Sequence, residues 1–233
     1  MDSENYYQSS PIIDLDEQSR SRFIARTYVH LAGAILAFIA MEVVLFKTGM
    51  AEAICRMLLG TSWLLVLGGF VVVSWLARYA AHNCRSLGTQ YLSLAAYVLG
   101  EGIIFVPLLY IANKVAPGVI TSAALISLLG FGSLTLLVFG TRKDFSFLRG
   151  ALMWGGIVAL LLIVGGAIFG FQLGTYFSVA MIGLAGAAIL YDTSNVLHHY
   201  SEDRYVAASL ELFASVALLF WYVLRLLLSS NRN

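Results

Sequence analysis

The chain has 233 residues, of which 60% are hydrophobic and only 12% charged, and its mean hydropathy is +0.84. Soluble domains run about 45–50% apolar and about 25% charged, so a water-soluble fold is excluded and a polytopic membrane protein is indicated. Fourteen basic and thirteen acidic residues leave a net charge of +1, which provides no field for gathering nucleic acid.

Residues 1–22 are the only sizeable polar segment, with Asp14, Asp16, Glu17 and several serines, and read as a flexible tail. They lack the basic start and short apolar core of a signal peptide, so the first span is expected to remain as an anchor. Seven apolar stretches of about 20 residues follow, the length that a bilayer core of about 30 Å requires. They lie near 24–46, 57–77, 89–112, 119–140, 150–170, 175–195 and 206–228, and together make residues 23–233 one all-α membrane domain. The loops are too short for an ATPase, kinase or nucleotide fold. Gly102 and Pro107 are expected to interrupt the third span. Gly166 and Gly170, and Gly183, Gly186 and Ala187, offer small faces for close helix packing.

Basic residues orient the bundle. With the N-terminus cytoplasmic, the inner side holds Arg20, Arg22, Arg26, Arg78, Arg85, Arg142, Lys143, Arg149 and Arg204; the outer side holds Lys47, Arg56, Lys114, Arg225 and Arg232. The bias favours an inner N-terminus and an outer C-terminus. Cys55 and Cys84 then face opposite sides, which excludes a bond between them.

Ionisable residues inside spans are costly, about 2.5–3.5 kcal/mol on insertion scales, and are retained for a reason. Glu42 and Arg225 lie near span ends and are read as snorkelling to the interface. Glu101 sits mid-span between two glycines, where it lines a cavity or bonds to His30, the one histidine placed inside a span; His82, His198 and His199 read as loop residues. Asp192 near the end of the sixth span and Glu211 early in the seventh are expected at similar depth, with Ser215 about 6 Å deeper on the Glu211 face. Such a carboxyl pair can share a proton at low pH and separate, or take a cation, at high pH. Alternatively each is locked to a basic neighbour: Arg78, Arg85 or Arg204.

The run Thr141-Arg142-Lys143-Asp144-Phe145-Ser146-Phe147-Leu148-Arg149-Gly150, the sixth-span ending Ile189-Leu190-Tyr191-Asp192-Thr193-Ser194-Asn195, the Gly100-Glu101-Gly102 turn with Pro107, and Arg22-Phe23 through Arg26-Thr27-Tyr28 resemble the Bax inhibitor-1 (transmembrane Bax inhibitor motif) family over about residues 20–228. The resemblance implies six helices around a central seventh, a pH-responsive cation leak, chiefly of calcium, and no enzymatic activity or resident cofactor. It also implies a two-aspartate sensor and an arginine latch near the end of the second helix. Asp192 matches the first aspartate, but Ser215 stands at the second, so the usual pair is not intact and Glu211 is the stand-in. Asp192 and Glu211, with Ser215, would form only a weak, transient calcium site. Arg78 is the first candidate for the latch and Arg85 its rival. The serine and the following His198 look more like a bacterial inner-membrane branch that binds and modulates an FtsH-type AAA+ protease, with residues 1–22 as a handle.

Enzymatic alternatives fail on inventory. An intramembrane aspartyl protease needs a second aspartate, and the seventh span has none. A zinc hydrolase needs several membrane histidines, and a retinal protein needs a membrane lysine.

Overall fold

The computed structural model describes residues 11–84 and 86–230. Eight α-helices follow one another: α1 (Glu17–Lys47), α2 (Met50–Gly60), α3 (Trp63–Asn83), α4 (Leu87–Val115), α5 (Val119–Thr141), α6 (Leu148–Phe169), α7 (Thr175–His198) and α8 (Tyr205–Ser230). All but α2 are long and apolar enough to cross a membrane, giving seven spans. Helix α8 is the centre: α1, α3, α4, α5 and α7 pack around it, and it is buried almost continuously from Val206 to Val216. Helix α6 is peripheral, held by α7 and a brief contact with α3.

Helix α1 shows why these residues form this bundle. Asp16 caps it by accepting a hydrogen bond from Ser19 N at 3.1 Å, which satisfies one of the first-turn amides. That bond holds the exposed Asp16 carboxyl below its usual range. Phe23, Thr27, Leu31, Ala34, Phe38, Glu42 and Leu45 are its buried residues. Their spacing of three and four is one stripe of an α-helix, and it faces the bundle.

The second span begins later than the hydropathy suggests. Residues 57–60 belong to α2, whose 11 residues reach only about 16 Å and cannot cross. The apolar run Met57-Leu58-Leu59 hides the boundary, which Gly60-Thr61-Ser62 sets: Thr61 is extended and α3 starts at Trp63. Pro107 does not interrupt α4, which continues through it for 29 residues. Gly102 matters instead for contact, because a Cβ there would lie 2.7 Å from Met41 Sδ on α1. Gly170 is no packing glycine; at φ +75° it ends α6 in the left-handed region.

Part of the expected tail is fixed. Glu17–Arg22 are the first turns of α1, Pro11 bridges to Ser201, and Ile12 N donates to Tyr200 O at 2.8 Å. Ile12 is fully buried in the main core. An apolar Pro-Ile-Ile step inside a polar segment is what seats it. Residues 1–10 lie outside the described residues, as does Arg85.

The loop after α5 is pinned to the end of α7. Phe145 N donates to Ser194 Oγ at 2.8 Å, and Asp144 Oδ1 accepts from Ser146 N at 2.8 Å and from Ser194 Oγ at 3.3 Å. His199 Nε2 lies 3.4 Å from Asp144 Oδ2. Burial opposes the Asp144 charge, but the bonds from Ser146, the nearby His199 and Ser194 outweigh it and hold the carboxyl below its usual range. A depressed carboxyl contributes stability above its unfolded-state value and loses it as pH falls through the folded one.

Candidate functional site

Arg78, His82, Glu211, Asp192 and Ser215 gather toward the end of the bundle that carries the N-terminus. Arg78, in the last two turns of α3, places Nη1 2.7 Å from Glu211 Oε2 on α8. His82, one turn further along α3, places Nε2 2.9 Å from Glu211 Oε1. Residues four apart share a helix face, so α3 holds both oxygens of one carboxylate. Glu211 is 15% exposed at its side chain and Arg78 is 43% exposed. The Arg78 guanidinium also sits 5.6 Å from the Tyr97 ring centre on α4, and Nη2 donates to Tyr97 OH at 3.5 Å.

Asp192 is level with Ser215 rather than with Glu211. Ser215 Oγ donates to Asp192 Oδ2 at 2.5 Å, and both residues are buried, at 6% and 8% exposure respectively. Among the described residues no hydrogen bond joins Asp192 to Glu211. Each has its own partner, and Asp192 feels Glu211, Arg78 and His82 through space. Tyr200, in the turn between α7 and α8, closes the group from the aqueous side. Its ring stacks on His82 at 5.9 Å, and burial first, then the fields of Glu211 and Asp192, push its hydroxyl well above the usual range.

Behind this cluster lies a cavity of about 770 Å³, bounded by α3, α4, α6, α7 and α8. Arg78, Tyr97 and Glu101 line it at the clustered end, and Arg225 at the far end. Arg78 is thus shared between the ion pair and the cavity wall.

Glu101 is buried at 7% exposure and faces this cavity. His30 is elsewhere: Nδ1 and Nε2 are 2.7 Å from Arg26 O and Tyr91 OH, and its ring lies 5.1 Å from that of Tyr205. It ties α1 to α4 and α8 and does not meet Glu101. Of the three basic neighbours considered for the acids, Arg78 takes Glu211. Arg204 instead donates to Ala81 O at 3.2 Å and Cys84 O at 2.7 Å, capping α3. Both cysteines are free.

Three residues differ from their expected places; one is His198, which is the last residue of α7 rather than a loop residue, with Nδ1 2.9 Å from Ser194 O. His82 is not a loop residue but part of α3, and only its spacing from Arg78 hinted at a role. Glu42 does not snorkel: it is 7% exposed and neither carboxyl oxygen has a partner among the described residues. The side chain is turned inward toward α4, where Gly102 leaves room for it. Burying an unpartnered polar group costs about 1–3 kcal/mol. Glu42→Met is therefore expected to raise Tm by about 2–6 °C in detergent-solubilised protein. A lower Tm would show that the carboxyl is needed for packing.

Among the described residues no three histidine, cysteine, aspartate or glutamate side chains converge as metal ligands. Asp192 and Glu211 are both engaged by protein groups. A calcium ion would have to displace Arg78 or Ser215 to gather the six to eight oxygens it prefers.

A seven-span α-helical bundle with a buried central helix and an acid–arginine cluster at one mouth defines a multi-pass membrane protein. The family described as "Inhibitor of apoptosis-promoting Bax1" matches residues 20–233, and the chain belongs to it. Relatives include the modulator of FtsH protease YccA of Escherichia coli, 35% identical over 41% of this chain and 44% of its own. Bax inhibitor 1 of Schizosaccharomyces pombe is 34% identical over 49% and 45%, and a BI1-like protein of Arabidopsis thaliana is 33% identical over 47% and 44%. The chain spans about half the length of the curated relatives it matches. These relatives are named as modulators or inhibitors, not as enzymes.

Proposed function

We propose that this protein is a pH-responsive cation leak, with calcium as the cargo, held in its closed state by the Arg78–Glu211 pair. The observation that carries the reading is that one guanidinium both neutralises Glu211 and walls the cavity. In this reading the N-terminal face is cytoplasmic, Arg78 is the latch, and Asp192 with Ser215 forms a second tie between α7 and α8. Protonating Glu211 removes the charge that holds Arg78. Acid therefore loosens the mouth once the carboxylate is neutralised. The groups that set this balance are Arg78 and His82 on α3, Tyr97 on α4, Asp192 on α7 and Tyr200 in the following turn. Once freed, Glu211, Asp192, Ser215 and water offer a loose oxygen site suited to passage.

Calcium flux into proteoliposomes tests this from roughly pH 8 down to about pH 4, where a carboxylate takes up its proton. Wild type is expected to leak faster at the acid end, and Asp192→Asn to flatten the pH response. A variant with unchanged flux and unchanged pH dependence removes Asp192 from the mechanism.

A second reading rests on the relative named as a modulator of FtsH protease: binding to a bacterial inner-membrane protease of that type. Removing residues 1–10 leaves the Ile12 seat intact and is expected to slow the protein's own turnover without unfolding it. Failure of the protease to co-purify from membranes would end that reading.

A further inference from the structure

We infer that the cavity between α3, α6 and α8 is a lipid site that takes one acyl chain of an anionic phospholipid, with its headgroup at Arg225. The cavity's walls are overwhelmingly apolar: Phe70, Phe105, Ala159, Leu218 and Trp221 are among them. Its volume of about 770 Å³ lies within the range of about 300–1,000 Å³ for pockets that enclose a small ligand. Water gains little from such walls, and a hydrocarbon chain gains dispersion contacts with them.

The route in is lateral. Val71 and Trp75 on α3, and Leu160 on α6, line the cavity and are also exposed on the outside, at 41%, 62% and 41%. These two helices meet only briefly, so the rim opens between them onto the surface that faces the bilayer. The dimension fits as well. From Ala214 to Arg225 the cavity follows α8 for about eleven residues, or roughly 16 Å at the α-helical rise. One leaflet of an about 30 Å hydrocarbon core is about 15 Å deep.

Charge fixes the orientation. The two cavity arginines are at opposite ends. Arg78 is neutralised by Glu211 at 2.7 Å. Arg225 forms no ion pair among the described residues. Its Nη2 donates to Leu173 O at 2.7 Å, which holds the guanidinium at the mouth with its other donors available. A phosphate accepts the arginine fork well, and charge-assisted hydrogen bonds of this kind are strong. The chain end would then reach toward Tyr97 and Glu101, so an occupied cavity would also plug the space behind Arg78. The site itself does not depend on whether ions pass.

Trp221 is the reporter. It is partly buried, with its ring 4.9 Å from that of Phe105 inside the bundle. Trp63, Trp75 and Trp154 are replaced by Phe, leaving Trp221 alone among the four tryptophans. The protein is then reconstituted in vesicles containing phosphatidylglycerol or phosphatidylcholine brominated on the acyl chain. Brominated phosphatidylglycerol is expected to quench Trp221 about twice as strongly as brominated phosphatidylcholine, as a charge-assisted contact outweighs a neutral one. Arg225→Gln is expected to erase that difference. Gly156→Leu is expected to reduce quenching by both lipids, since a Cβ at Gly156 meets nothing within 4 Å and the side chain would project into the cavity. Circular dichroism on both variants checks that they fold, and the comparison of the two lipids on the parent needs neither variant. No quenching of Trp221, or equal quenching by the two lipids, overturns the proposal. Quenching by a brominated free fatty acid but not by brominated phosphatidylglycerol overturns it in favour of a free fatty-acid occupant.

Discussion

Arg78→Gln is expected to lower stability by about 2–3 kcal/mol, less than the 3–5 kcal/mol typical when a fully buried pair is broken, because Arg78 is 43% exposed toward the cavity. The loss arises chiefly at Glu211, which remains in the bundle with only His82 beside it. In the leak reading the same change frees the cavity end, so resting flux rises and its pH response shrinks. Arg78→Lys restores the charge but neither the two-pronged contact nor the stacking on Tyr97, and is expected to fall between the two. Thermal unfolding and proteoliposome flux, measured on the same preparations, check both parts. A Tm unchanged in Arg78→Gln would show that the pair contributes nothing to closure.

Phe105→Ala is expected to be the most damaging single truncation in the bundle. Phe105 is 1% exposed and meets three rings: Trp221 at 4.9 Å, Phe38 at 5.2 Å and Phe220 at 5.6 Å. It therefore joins α4 to α1 and α8. In water such a truncation costs about 3–5 kcal/mol. Lipid is as apolar as the core, so part of the transfer contribution disappears and the lost packing remains. About 2–4 kcal/mol is expected, or a Tm lower by roughly 5–15 °C. A drop under about 2 °C would show that the rings close over the gap.

Much of this architecture was legible from hydropathy alone, because the bilayer imposes one length on every span. The seven spans agree with the structure, and so does the central position of α8, which the family resemblance implied and hydropathy did not. The start of α3 was not legible, since an apolar interfacial helix and an apolar span look alike until a turn separates them. The docking of Ile12 depends on a pocket made by Tyr200 and Phe23, far apart in the chain.

The candidate site was legible as an inventory and less so as a set of pairs. Asp192, Glu211, Ser215 and Arg78 stand out as polar groups in apolar helices. Which acid meets which partner depends on the relative depth of α7 and α8, and helix periodicity within one chain segment does not fix that. His82 was missed because its span ends near it, although it lies one turn from Arg78. Glu42 was read by its nearness to a helix end, but it turns inward beside Gly102, where the absence of a side chain admits both it and Met41.

The central claim is that the charge on Glu211 keeps Arg78 in place and the mouth closed. Calcium flux through Glu211→Gln in proteoliposomes near neutral pH tests it most directly, since glutamine keeps the shape and removes the charge. The expected result is a leak at neutral pH matching that of the wild type in acid, with little further response to pH. A Glu211→Gln protein that stays closed at neutral pH and still opens in acid as the wild type does would contradict it.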